Sequence, residues 1–369
     1  MRRPKTHLRS RRLLVTGCGL AAITLPWAAT AQAASAGSTS PAPPVYRTTA
    51  GGLAAVAAVS ADDAWAVGWA ASGGVLILHW NGTAWTKVAV PALPRDSELA
   101  DVAASSSRNV WAVGAAGRHT LILHWNGARW RRVPSPTRSG DAGLDSVTVT
   151  RSGAAFAAGG YLSRAGGGGS MLAWSGGKWH QQRLPSPYDS AQDGASGFTG
   201  VAAASAGSAW AVGLTDTGNW TTFLRRQGTH WRVAAGPNIP GGNLTDVALA
   251  PRHRAWAVGY VDSAPLILRY TGSSWRRVAT PRPTDGARLN AVAVTRDGTA
   301  WAVGQLGGSD RGFILRWTRG HWESQPAPVA GSSGTIITGV AAYSDDDAWA
   351  VGVTNGGDGF ILQWTGASW

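Results

Sequence analysis

From residue 51 onward the apolar positions fall in short runs separated by turn residues, the pattern of strands rather than long helices. Four kinds of run succeed one another. The first is small and β-branched, as in Asn290-Ala291-Val292-Ala293-Val294; the second reads Ala64-Trp65-Ala66-Val67-Gly68; the third reads Leu76-Ile77-Leu78-His79-Trp80; the fourth opens on tryptophan, as in Trp275-Arg276-Arg277-Val278-Ala279. In the second run the strand period of two puts Trp and Val on one face and Ala, Ala and Gly on the other. A bulky face of one unit then packs on the small-residue face of the next.

The unit repeats. The second-run aromatic is Trp65, Trp111, Phe156, Trp210, Trp256, Trp301 and Trp349, at spacings of 46, 45, 54, 46, 45 and 48 residues. Four strands in about 46 residues is the length of a β-propeller blade. Seven copies predict an all-β, seven-bladed β-propeller with four antiparallel strands per blade. The first run, poor in bulk, suits the crowded axis. The last copy reaches only Trp369, where its fourth strand is due, so Val45-Tyr46-Arg47-Thr48-Thr49 is expected to supply that strand by pairing with residues 359–364. On this reading the propeller spans 45–369.

Link lengths separate two faces. The residue opening the first run precedes the second-run aromatic by 12 in all seven copies, and the third-run aromatic position precedes the fourth-run tryptophan by 5 in all seven. The second-to-third link varies, with the glycine of the second run 11 to 15 residues ahead of the third-run aromatic position, and so does the link between copies, at 13 to 19 residues. Because strands alternate in direction, the constant links share one face of the disc and the variable links the other. Variable loops on a rigid scaffold are where binding residues concentrate.

Composition adds an address. At 44% hydrophobic and 14% charged, with 50 glycines and no Gly-X-Y period, neither collagen-like nor wholly disordered chains fit. Residues 1–33 read as an export signal: a basic stretch through Arg11-Arg12, an apolar stretch from Leu13, and Ala31-Gln32-Ala33 as cleavage site. The adjacent arginines resemble a twin-arginine signal, with the general secretory route as the alternative. Residues 34–44 form a Ser/Pro/Ala-rich flexible linker. The expected location is extracellular or cell-wall-associated. Cys18, the only cysteine, lies in the signal, in a Val15-Thr16-Gly17-Cys18 stretch resembling a lipobox, so the exported chain carries no disulfide. Without the six basic residues of the signal, 27 basic face 20 acidic residues, a moderate excess that favours solubility and loose attraction to anionic polymers.

The Ala-Trp-Ala-Val-Gly pattern resembles the tryptophan-rich WAVG propeller repeats of secreted bacterial proteins, over essentially the whole chain from residue 51. It is similar, more distantly, to repeats of tectonin-type lectins, photosystem II assembly-factor propellers and sialidase Asp-boxes. The Asp-box ends Asp-x-Gly-x-Thr-Trp. Here Gly82-Thr83-Ala84-Trp85 and Gly272-Ser273-Ser274-Trp275 keep the Gly-x-x-Trp, but Trp80 or Tyr270 stands at the aspartate position. The resemblance implies a blade and carries no sialidase chemistry with it.

Catalytic sets are not legible. A glycosidase needs paired carboxylates, and only Glu98 and Glu323 occur, in different blades. Asp62-Asp63 and Asp345-Asp346-Asp347 sit in tight turns, without the ligand spacing of a metal site. His79 and His124 share a repeat position with Ala173, Arg225, Arg269, Arg316 and Gln363, which reads as a surface strand site; no metal and no cofactor are expected. Gly166 to Gly169 lacks the Lys-Ser/Thr of a phosphate loop and reads as a flexible insertion. Arg131-Arg132 and Arg276-Arg277 fall on the outermost strand, where charge blocks edge pairing, so no nucleic acid partner is read. No later apolar run is long enough to span a membrane.

Eighteen of the 21 tryptophans are explained as packing residues. Outside that set stand Trp69 and Trp220, joined by Tyr161, Tyr188 and Tyr260 in or beside variable links, with Asp216, Asn219 and Asp262 nearby. Aromatic faces beside Asp and Asn suit sugar stacking and hydroxyl hydrogen bonds; the same rings can instead pin loops to the disc. The favoured reading is an exported, monomeric, non-catalytic binding propeller for a carbohydrate or cell-wall polymer. A protein-scaffolding propeller is the alternative, and a lyase or hydrolase is disfavoured by the scarcity of Glu.

Overall fold

Each run of the repeat forms a strand, giving 28 strands in seven four-stranded antiparallel sheets and no helix among the described residues. The computed structural model describes residues 45–136, 141–163, 166–186, 188, 196–215, 220–308, 311–328 and 334–369. The expected export signal and linker, residues 1–44, lie outside them. Blades 1 to 6 occupy 51–87, 97–132, 141–181, 196–233, 242–277 and 287–325; blade 7 joins 335–364 to the N-terminal strand Val45–Thr48. Inner strands touch in cyclic order, blade 7 against blade 1 included. The ring closes as expected: Val45 pairs with Leu362, Tyr46 with Ile361, Arg47 with Phe360 and Thr48 with Gly359.

The second-strand tryptophans explain why the blades adhere. At all seven interfaces the second-strand aromatic meets, edge to face, the tryptophan that follows the third strand of the next blade and in six of the seven lies on its fourth strand: Trp65 with Trp130, Trp111 with Trp179, Phe156 with Trp231, Trp210 with Trp275, Trp256 with Trp322, Trp301 with Trp369 and Trp349 with Trp85. Centroid separations run from 5.0 to 6.0 Å and interplanar angles from 76° to 88°. Such pairs add about 0.5–1.5 kcal/mol each beyond the area they bury. A third-strand aromatic of the next blade completes each cluster, as Trp125 does at 5.0 Å from Trp65. In blade 4 Arg226 takes that place, 5.0 Å over Phe156.

The strand register explains what holds the axis. Each first strand carries a bulge after its opening apolar residue, and in blades 4 to 7 the extra residue, Thr199, Thr245, Asn290 or Thr338, bonds a carbonyl of the next blade. Thr199 Oγ1 donates to the Leu244 carbonyl at 2.7 Å, Thr245 to Leu289 at 2.9 Å, and Thr338 to Leu53 at 2.8 Å; Asn290 Nδ2 donates to Ile337 at 2.8 Å.

Two expectations are corrected. Gly166 to Gly169 is not a flexible insertion but the buried start of the third strand of blade 3, paired with Gly160 to Ser163. Glycine is required there because the Phe198 ring of blade 4 lies where a Gly169 Cβ would stand, 2.3 Å away. The position of His79 and His124 is half-buried rather than surface. His79 lies 4.2 Å from the Trp65 ring and His124 stacks on Trp111 at 4.1 Å, while Arg269 and Arg316 lie 5.1 Å over Trp256 and Trp301. An imidazole or guanidinium plane covers an indole face equally well, so that position accepts both.

Candidate functional site

Strand alternation places the second-to-third turns and the blade-to-blade links on one face, and both cavities found there are built from those segments. In blade 2 a cavity of about 480 Å³ is walled by His119 and Thr120 at the start of the third strand, by Arg132 to Ser135 leaving the fourth, and by Ala142 entering blade 3. The Thr120 and Ser135 hydroxyls bond each other at 2.5 Å. Arg118 pairs with Asp141 beside them, and the Ala142 N–H donates to the Arg118 carbonyl at 3.0 Å. In blade 5 a cavity of about 430 Å³ lies between Ser263 to Pro265 and Arg282 to Gly286. The Ala287 N–H ties its two walls together at the Ser263 carbonyl, 2.8 Å away. The two cavities lie between corresponding segments of blades three apart, each with hydroxyls and one arginine, though the arginines come from different repeat positions and the blade 5 cavity adds the Asp285 carboxylate. That lining can hydrogen-bond a polyol or hold an anionic group.

The residues singled out in the sequence fall around these cavities unevenly. Tyr161 pairs across the strands with Ala142, which lines the first cavity, and its ring covers Gly168, with ring carbon and hydroxyl 3.0 Å from the site of a Cβ. Tyr260 pairs with Pro265, which lines the second, and the Arg288 guanidinium lies 4.7 Å over its ring. Asp262 turns the chain into that cavity with φ 53°. Trp69 stands apart in blade 1, its ring filling the space over Gly52, where a Cβ would meet Cζ2 at 2.2 Å. Tyr188 packs inward, 6.0 Å from Phe198, and its carbonyl accepts the Gly169 N–H, so it ties the blade 3–4 link to the disc. Trp220 opens the third strand of blade 4 opposite Thr215; Asp216 and Asn219 lie outside the described residues. Sequence reasoning missed Thr120, Ser135, Arg282 and Thr284 and read Arg132 as an edge charge; these residues converge from separate segments, and no local motif marks them.

Carboxylates also gather at the axis. Asp101 accepts the Val102 N–H at 2.8 Å and the Val147 N–H of blade 3 at 2.7 Å. Asp246 repeats this three blades on, with Val247 at 2.7 Å and Val292 at 2.8 Å. Burial pushes the Asp246 carboxyl up to about 7, and the Asp101 charge across the axis adds to the rise against the pull of its two N–H donors. These carboxylates brace blades. Among the described residues no group of three or more His, Cys, Asp or Glu is placed to hold a metal ion. Glu98 lies on the first strand of blade 2, and Glu323, on the fourth of blade 6, pairs with His321 at 2.8 Å.

No protein-family model and no curated relative matches this sequence. Solved structures match its fold. The chain is similar to YCF48 bound to D1 peptide, at 14% identity and TM-score 0.58 over 89% of this chain and 96% of the other. The GH74 xyloglucanase from Xanthomonas campestris matches at 15% identity and TM-score 0.59, over 83% of this chain and 52% of the enzyme. The six-bladed fucose-recognising lectin of Aleuria aurantia matches at 13% identity and TM-score 0.51, over 78% of this chain and all of the lectin. At these identities the likeness is one of fold, and propellers of that fold bind a peptide, act on a polysaccharide or recognise a sugar.

Proposed function

We propose that the chain is an exported, non-catalytic binding propeller that takes a carbohydrate or cell-wall polymer on the face of the variable links. The observation that carries this reading is the pair of cavities of mixed lining in blades 2 and 5, each presenting hydroxyls and an arginine beside apolar side chains and each bordered by a tyrosine, Tyr161 or Tyr260. A repeated polymer engages repeated sites, and two weak sites on one rigid disc gain avidity without new contacts. Trp69 and Trp220 are further candidates on the same face. Docking of a peptide segment is the second reading, favoured by the peptide-bound neighbour.

The test is binding of residues 34–369 to an array of glycans and cell-wall polymers, with Arg132→Ala, Arg282→Ala and Trp220→Ala in parallel. Specific binding weakened about tenfold or more by either arginine substitution supports the reading, since a charged hydrogen bond is worth roughly that much. A blank array overturns the carbohydrate reading and leaves the peptide one, to be pursued by pull-down.

A further inference from the structure

The turns of the opposite face are all short, and their charges are sorted by blade. The turns of blades 7 and 1 hold Asp345, Asp346, Asp347, Asp62 and Asp63 and no Lys or Arg. The turns of blades 2, 3 and 5 hold Arg108, Arg129, Arg151, Lys178, Arg252 and Arg254, those of blade 4 hold no charge, and none of the four blades has an Asp or Glu there. Blade 6 holds both signs, Arg296 and Arg319 with Asp297, and marks one boundary. In a ring of seven, the point across the axis from the junction of blades 7 and 1 is blade 4, whose turns carry no charge and are flanked by the basic turns of blades 3 and 5. The acidic and basic sectors therefore lie on opposite sides of the axis.

Each sector repels itself. In blades 1 and 2 the residue opening the second strand finds a partner, Asp63 in His79 at 2.9 Å and Asn109 in His124 at 2.8 Å. Asp347 is its counterpart in blade 7, where Gln363 replaces the histidine, and both its carboxylate oxygens are buried with no hydrogen-bond partner. Burial, and then the charge of Asp62, raise its pKa. In the basic sector Arg254 lies close enough to Arg269 to depress that guanidinium, already lowered by burial, and Arg269 Nε is buried without a partner. Arg252 and His253 are both held left-handed, at φ 60° and 58°, in an exposed turn.

A partner that relieves both sectors at once must carry both, in the same opposed arrangement. We propose that this face is the interface of a two-fold dimer, a second copy of the chain laid face to face about an axis in the plane of the disc. That rotation sets each acidic sector on the basic sector of the other copy, the self-complementary pattern of an isologous contact. A polyanion would answer only the basic sector and leave the aspartates as they are. The dimer goes beyond the monomer expected from sequence and stands whatever the ligand is. It turns the two variable faces outward in opposite directions, so one dimer can join two polymer strands.

Sedimentation velocity on the purified protein tests this. The wild type is expected to dimerise at low salt, with a dissociation constant rising about tenfold or more toward 0.5 M salt as the sectors are screened. Asp62→Lys with Asp346→Lys, and separately Arg129→Glu with Arg151→Glu, should each be monomeric, and their equimolar mixture should restore a one-to-one heterodimer. All four positions are exposed turn or strand-end residues, and thermal melts matching wild type confirm the fold. If a reversed variant melts early, the neutral pair Asp62→Asn with Asp346→Asn takes its place and should weaken the dimer without abolishing it. A wild type monomeric at low salt, reversed variants that dimerise like wild type, or a mixture that stays monomeric would overturn the proposal. So would a wild-type monomer that captures polyphosphate through Arg129 and Arg151, which would assign the basic sector to a polyanion.

Discussion

Arg226 Nε donates to the Ala206 carbonyl at 2.8 Å, and in doing so reproduces the bond an indole makes elsewhere in the ring. Trp80 Nε1 meets Ala61 at 3.0 Å, Trp125 meets Ser107 at 3.0 Å, and Trp364 meets Asp345 at 2.8 Å, each carbonyl in the first turn of its own blade. The guanidinium plane also lies 5.0 Å over Phe156 and 5.9 Å over Trp231, where the other blades use a third ring. One of its terminal nitrogens, Nη1, donates to Gln182 Oε1 at 3.0 Å. One cation thus satisfies the hydrogen bond and the stacking of a tryptophan.

Arg226→Ala is accordingly expected to cost about 3 kcal/mol, from a lost charged hydrogen bond, a lost cation–π contact and the void left behind. Arg226→Trp should lose less than half as much, since the indole restores the ring and the donor to Ala206. Urea unfolding midpoints compare the two. Equal losses would show that the guanidinium holds the interface by charge alone.

The seam between blades 7 and 1 has two fastenings of unequal strength. Removing residues 45–48 strips the edge strand from Gly359–Trp364 and takes away the Tyr46 ring, 5.5 Å from Trp80 and 6.1 Å from Trp349. The truncated chain is expected to aggregate on heating through its bared sheet edge, read by light scattering. Thr338→Val removes only the hydroxyl bonds to Leu53 and Val351, and should cost about 1 kcal/mol while leaving the protein monodisperse on heating below its transition.

The blades, their order and the ring closure were legible because tryptophan, glycine and link length recur with every copy. What escaped was set by contacts between copies. The glycines of residues 166–169 form a strand because Phe198 of blade 4 and Tyr161 need the space, and nothing local to the run announces either ring. The position of His79 reads as surface by its variety of residues, whereas its neighbour is the indole of the second strand. The cavities draw on segments apart in sequence, as Thr120, Ser135 and Ala142 are, so no single motif marks them. Tyr161 and Tyr260 were within reach only because they interrupt the repeat.

Gly169→Ala tests that packing argument. Its Cβ would stand 2.3 Å from Cε2 and 2.8 Å from Cδ2 of Phe198, which is fully buried and cannot swing aside. A loss of about 1–3 kcal/mol is expected, as for other overpacked cores. Pairing it with Phe198→Leu should recover part of that loss, and thermal melts of the single and double variants check the coupling. At Gly177, with nothing within 4 Å but φ 78°, alanine should cost about 1 kcal/mol through the backbone alone.

The axis gives the molecule a pH dependence of definite sign. Asp246 titrates near 3.8 when unfolded and near 7 in the ring, so between those values the native state holds a proton that the unfolded chain has released. A raised native pKa means that the group's contribution is fully present below the unfolded value and is lost as pH rises through the native one. Stability should therefore fall between about pH 4 and pH 7 on account of this group, opposite to the usual effect of a salt-bridged carboxylate. Asp246→Asn cannot ionise, and it turns one acceptor into a donor against the Val247 or Val292 N–H, which should cost about 1–3 kcal/mol at pH 4. As pH rises that cost should shrink, because the wild type weakens and the variant does not. Urea midpoints of both proteins at pH 4.5 and 7.5 measure this, and the difference of the two differences cancels the titrating groups that do not interact with Asp246, leaving Asp246 and its coupling to Asp101. A gap between wild type and variant that stays constant with pH would mean that Asp246 ionises as readily in the ring as in the open chain, and that the axial channel is wide enough to hydrate it.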